Sequence, residues 1–267
     1  TRERVLGDYE EAARLFEQVL DEDEDNPAAA FELGRVYDAL EDSEKALKYL
    51  KLATELDPAN EWYKRFLADL YQKNDRNEAA AELYESLVSQ HPDNDHYYFR
   101  WAYFLVRNNE IDKAIRVYDQ MEKRLGITEE VIRRKHTLYL GSGDNKRAAR
   151  ELERLIEAYP DNLEYRHLLA GFYEQVGKEA EALEVYRKVL ELNPEDARAN
   201  IALAGKGQGD PDEIQYLRSL KPVFQNPEVD IDLKIKQLFP FISKVADTGD
   251  RDLARAALEL TDLLEQA

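Results

Sequence analysis

The sequence predicts an all-α solenoid, a right-handed superhelix of antiparallel helical hairpins, and three observations predict it. One alanine recurs without interruption: Ala12, Ala46, Ala80, Ala114, Ala148 and Ala182 each stand 34 residues after the last. Large apolar residues keep the same beat. Turn-forming residues punctuate it twice in every period. Such an interval is how a stack of similar units is written into a chain, because each unit must offer the next the same packing surface.

The elements follow in order. Four residues after the alanine come Phe16, Leu50, Tyr84, Tyr118, Leu152 and Tyr186, one turn further along the same helix face. Twelve after it, Pro58, Pro92, Pro160 and Pro194 end that helix, with Glu24 and Gly126 in the odd cases. Nine before it lie Tyr37, Tyr71, Leu105, Tyr139 and Tyr173, on a preceding helix. Further upstream the pairs Leu33-Gly34, Leu67-Ala68, Trp101-Ala102 and Leu169-Ala170 set a large residue beside a small one, as closely packed helices require. Gly7-Asp8, Glu41-Asp42, Asn74-Asp75, Asn108-Asn109, Gly143-Asp144 and Gly177-Lys178 supply the turns between the two helices.

Each repeat therefore reads as helix A, a turn, helix B and a second turn. In these positions the chain resembles the tetratricopeptide repeat family, whose order of Trp, Leu-Gly, Tyr, Ala, Phe and Pro it follows. Full repeats fall at 27–60, 61–94, 95–128, 129–162 and 163–196. Residues 1–26 hold the end of a helix A and a whole helix B, so the sequence reads as opening inside a repeat. After Asp196 the pattern decays into a degenerate repeat at 197–228 and a capping hairpin at 229–267, with helices expected at 212–225, 230–246 and 250–265. In general texture the chain is also similar to multi-repeat envelope or lipoprotein-type tetratricopeptide proteins of bacteria.

Composition narrows the function. A net charge of −19 opposes nucleic acid and anionic membranes as partners. The absence of cysteine excludes disulfides, thiolate metal sites and a cysteine nucleophile. No run approaches the ~20 apolar residues of a membrane span, and Thr1 to Asp8 do not form a signal sequence. The expected chain is soluble, cytoplasmic or periplasmic, with an upstream targeting segment left open.

Catalytic signals are missing. His91, His96, His136 and His167 have no second histidine or carboxylate at a ligand spacing. Gly205-x-Gly-x-Gly-Asp lacks the strand before it and the Gly-Lys-Ser/Thr that a phosphate loop needs, so it reads as a broken helix. No cofactor, metal or catalytic residue is expected, and the chain is not expected to be an enzyme. Lys135 and His136 stand where the pattern wants a large and a small residue, which implies local loosening or a buried ion pair.

The family resemblance implies a concave groove lined by helix A positions 2, 5, 9 and 12, opposite the packing positions. With the flanking positions 6 and 13, the repeats from 61 to 162 place Arg65, Lys73, Arg100, Arg107, Arg133 and Arg134 there, against Asp69 and Glu130. The expected partner-binding residues are Phe31, Arg35, Trp62, Arg65, Phe99, Arg100, Tyr103, Arg107, Arg133, Arg134 and His167. Arginine forks among aromatics suit a protein or peptide bearing carboxylates and apolar anchors. The Lys and Asn clamp by which some of the family hold a terminal carboxylate is absent, since positions 5 and 9 carry no Asn. Two functions stay open: an interaction scaffold, or a regulatory or substrate-recruiting segment of a larger enzyme.

Overall fold

The computed structural model describes residues 2–204 and 213–266. Every regular element among them is an α-helix. The chain divides into two compact units, Thr1–Ser142 and Gly143–Ala267. The first holds α1 (Arg2–Glu22), α2 (Pro27–Ala39), α3 (Ser43–Leu56), α4 (Glu61–Lys73), α5 (Asn77–Gln90), α6 (Asp95–Arg107), α7 (Ile111–Leu125) and α8 (Glu129–Gly141). The second holds α9 (Asn145–Ala158), α10 (Leu163–Gln175), α11 (Glu179–Leu192), α12 (Ala197–Ala204), α13 (Glu213–Ser219), α14 (Lys221–Gln225), α15 (Ile231–Thr248) and α16 (Arg251–Gln266). Helices that follow one another pack together from α1 to α8 and from α9 to α14, and α15 packs on α16, as an all-α solenoid requires.

The chain reverses between helices A and B at one repeating backbone position. Glu41, Asp75, Asn109, Gly143 and Gly177 all have positive φ, between 55° and 77°. The next residue's N–H then reaches back across the turn: Asp42 to the carbonyl of Tyr37 at 2.9 Å, Arg76 to Tyr71 at 2.9 Å, Glu110 to Leu105 at 2.8 Å and Lys178 to Tyr173 at 2.8 Å. This closure satisfies a carbonyl that the last helical turn leaves open. Helix A starts are capped from the side chain. Asn26 accepts from the Ala29 N–H, Asn60 from those of Trp62 and Tyr63, Thr128 from Val131 and Asn162 from Glu164. The side chains of Asp42 and Asp144 do the same for α3 and α9.

The alanine beat is a packing constraint. Ala46, Ala80, Ala114 and Ala148 are completely buried, and Leu50, Tyr84, Tyr118 and Leu152 beside them nearly so. Contact is closest at Gly34, where an added Cβ would stand 2.6 Å from Leu50 Cγ and 3.1 Å from its backbone nitrogen. The second unit builds its own core beyond the repeats, from Leu217, Leu220, Val223, Phe224, Leu238, Leu253 and Leu260. Lys234 is buried there and donates to the carbonyls of Phe224 at 3.2 Å and Asn226 at 2.8 Å, closing the end of α14.

Two expectations are corrected. No turn forms at Gly7-Asp8, and α1 runs unbroken through both residues, since one interior glycine costs a helix only about 1 kcal/mol. The helix expected at 212–225 is two, α13 and α14, because Pro222 has no N–H to continue a helix and sits in the first turn of a new one. The glycine-rich stretch at Gly205 lies outside the described residues.

Candidate functional site

The helix A face of the N-terminal unit is a ladder of polar and aromatic contacts from α2 to α8. Arg35 lies 5.8 Å from the ring centroids of Phe31 and Phe66, and Lys73 of α4 reaches Asp38 of α2 at 2.8 Å. Arg100 of α6 donates to Asp69 at 3.1 Å and to Gln72 at 2.9 Å, both on α4. Gln72 in turn donates to the Tyr103 hydroxyl at 3.4 Å, and Arg134 of α8 lies 5.0 Å from the Phe99 ring. The spacing that stacks the hairpins thus lines up the sixth, ninth and twelfth residues of successive A helices.

Most of the bases on this face are held by acids. Arg35 pairs with Glu32 at 3.0 Å, Arg107 with Asp75 at 3.5 Å, Arg133 with Glu129 at 2.6 Å and Arg134 with Glu130 at 2.6 Å. The positive excess counted in the sequence is therefore offset by Asp38, in the repeat before those counted, and by Asp75 and Glu129, which stand outside the positions counted. Arg65 differs. It lies 5.5 Å from the Trp62 ring, and no ion pair involves it among the described residues. Trp62 is 56% exposed and Tyr103 39%, so two aromatics stand open to solvent on a face whose charges are largely paired.

Three expected site residues are fixed within the fold. Phe31 is buried, stacked on Tyr63 at 4.6 Å and edge-on to Phe66 at 5.4 Å. His167 is buried and donates from Nε2 to Asp196 at 3.0 Å, its Nδ1 without a partner among the described residues. Both are fifth residues of a repeat, but Phe31 packs on the following repeat and His167 is held by Asp196 at the end of its own, whereas the fifth residues Arg65 and Arg133 reach solvent. Arg100 is largely covered, its guanidinium carbon 4.9 Å from Phe104 and 5.4 Å from Tyr84. The remaining Arg35, Trp62, Arg65, Tyr103, Arg107, Arg133 and Arg134 keep access to solvent, and Phe99 is half-buried.

Several ionisable groups are perturbed by burial. Lys135 is buried between Asp119 at 2.7 Å and Glu122 at 3.1 Å, so the anomaly in the pattern is a buried ion pair. Lys64 is buried against Ser86 at 2.8 Å and Gln90 at 3.0 Å, and loss of hydration lowers its ammonium below the usual lysine range. Tyr97 donates to Glu61 at 2.6 Å; burial first, then that carboxylate, pushes its hydroxyl up to about 12. Among the described residues no cluster of three or more His, Cys, Asp or Glu is placed to hold a metal, and no helix is long and apolar enough to cross a membrane. The sequence reading missed the asparagine caps, although Asn26, Asn60 and Asn162 stand in the repeat register.

Stacked helical hairpins with an exposed aromatic face and charge-paired surroundings define a repeat scaffold. Family models described as tetratricopeptide repeat match residues 6–70, 67–126 and 139–205, and the chain belongs to that family. It is 28% identical over 214 residues to the protein CTR9 homolog of Arabidopsis thaliana, covering 74% of this chain and 19% of that protein. It is 24% identical over 230 residues to the TPR repeat-containing protein MJ1428 of Methanocaldococcus jannaschii, covering 81% of this chain and 40% of that one. The chain thus spans less than half the length of these relatives. A solved structure of Naa15/Naa10 bound to HypK-THB shares the fold, with a TM-score of 0.57 and 20% identity over 95% of this chain and 36% of that one. As a tetratricopeptide repeat protein, the chain is a protein–protein interaction scaffold.

Proposed function

We propose that the chain is a non-enzymatic scaffold that takes an extended peptide or protein segment along α2, α4, α6 and α8, with Trp62, Arg65, Tyr103 and Arg107 as its contacts. The observation that carries this reading is the exposure of Trp62 and Tyr103 on a face held rigid from beneath by the Arg100 network. Aromatic and arginine side chains dominate binding energy where a partner desolvates them. Arg65, with no acid of its own, and Arg107, whose partner stands 3.5 Å away, are the groups a partner's carboxylate meets first. The segment is therefore one that mixes acidic with apolar residues.

Display of random peptides against the wild-type chain and against Trp62→Ala/Tyr103→Ala tests this. Peptides whose retention depends on those two residues are expected to combine Asp or Glu with aromatic or aliphatic side chains, and to bind the variant at least tenfold more weakly. A selection in which no peptide depends on them, or in which those that do are basic, overturns the reading.

A further inference from the structure

α15 carries a second surface of a different kind. Ile231, Ile235, Phe239 and Ile242 are 58, 46, 64 and 47% exposed. Their spacing of four, four and three residues sets them in one stripe along the helix. The adjoining face, with Leu238, Phe241 and Val245, packs on the core of the second unit. The stripe runs roughly 17 Å at the helical rise and exposes on the order of 400 Å² of apolar surface, a size at which a patch marks an interaction.

Charge selects the occupant. Glu228, Asp230 and Asp232 surround the Ile231 end, and Asp247, Asp250 and Asp252 the other, all six exposed and with Arg251 the one base among them. Of the three lysines on α15, Lys234 is buried against carbonyls, Lys244 pairs with Glu213 at 2.6 Å, and Lys236 is left as an exposed base beside the stripe, against three exposed acids at each end. A second copy is a poor occupant. Antiparallel pairing of two α15 helices would set the acids of one end against those of the other, parallel pairing would set like ends together, and each copy carries −19 overall. We infer that α15 docks an amphipathic helix of a partner protein, about three to four turns long, with an apolar stripe and Lys or Arg at both ends. Helix-in-groove recognition of this type uses anchors at the spacings that α15 displays.

Synthetic 16-residue helical peptides test the inference: one with a leucine stripe and two lysines at each end, and one with the same stripe and glutamates in their place. The basic-ended peptide is expected to bind the chain at least tenfold more tightly than the acid-ended one. It is expected to lose at least tenfold on Ile235→Gln/Phe239→Gln, a variant that leaves the charge unchanged, and to bind Trp62→Ala/Tyr103→Ala as it binds wild type. Circular dichroism checks that both variants stay folded. Equal binding by the two peptides, or undiminished binding to Ile235→Gln/Phe239→Gln, overturns the assignment. So does self-association that the same variant abolishes, attachment to neutral phosphatidylcholine vesicles, or protection of Phe239 from carbene footprinting in the free monomer, which means that the chain already covers the stripe.

Discussion

The hairpin of α2 and α3 and the helix α8 fill the same repeat position in opposite ways. In the first, Leu33 and Gly34 let the helices approach until Leu50 stands over the glycine with no room for a Cβ. In the second, Lys135 and His136 replace the large and small residues, and the buried ammonium is neutralised by Asp119 and Glu122 of α7. Whereas the buried Lys64 of α4 is held by the neutral Ser86 and Gln90, at this packing position of α8 the preceding helix B supplies the counter-charge. The boundary between the two compact units falls within this same repeat.

Breaking the ion pair should cost the most. Lys135→Leu restores the residue type of the pattern but strands Glu122, which is almost fully buried, without its cation. Thermal melts should show a loss of about 3 kcal/mol or more, as for other buried pairs deprived of one partner. Lys135→Leu/Glu122→Leu should recover most of it. Should Lys135→Leu be neutral on its own, the pair does not stabilise this repeat.

Overpacking the regular hairpins comes next. Ala114→Leu and Gly34→Ala each force atoms into filled space and should cost about 1 to 3 kcal/mol, with Gly34→Ala at the low end because alanine's better helix propensity offsets part of the strain. Unchanged melting temperatures would mean that the alanine beat is not a packing constraint.

A pH effect is smaller and one-sided. Tyr97 ionises near 12 when folded, against 10.0 for an unperturbed tyrosine. Because the folded hydroxyl holds its proton more tightly, the related stability is complete below pH 10.0 and is lost as pH rises towards 12. Chemical denaturation between these limits should show stability falling with pH, and Tyr97→Phe should make the slope shallower. An equal slope in both proteins would contradict the assignment. Smallest of all, Trp62→Ala should change stability by less than about 0.5 kcal/mol, since its side chain is open to water. A large loss would show that Trp62 belongs to the core.

The period was legible because every helical hairpin must bury the same few positions, and a spacing of 34 residues survives any change of side chain at the others. The charge of the helix A face was not. Acids one to three residues beyond the expected positions, such as Glu129 and Asp75, reach the arginines through long flexible side chains, which a tally by position does not register. Phe31 and His167 were misplaced because a helical wheel describes one helix, whereas Phe31 is covered by Tyr63 and Phe66 of the following repeat and His167 is held by Asp196 where its own repeat ends. On α15, the wheel shows a broad apolar arc but not that half of it stays uncovered.

The central claim, that a partner segment lies along the A helices of the N-terminal unit, is tested most directly by hydrogen exchange with and without the tightest acidic-apolar peptide from the display selection. Slowed exchange is expected in α4 and α6, over Glu61–Lys73 and Asp95–Arg107, with α5 and α7 unchanged. Protection confined to α5 and α7 would contradict it.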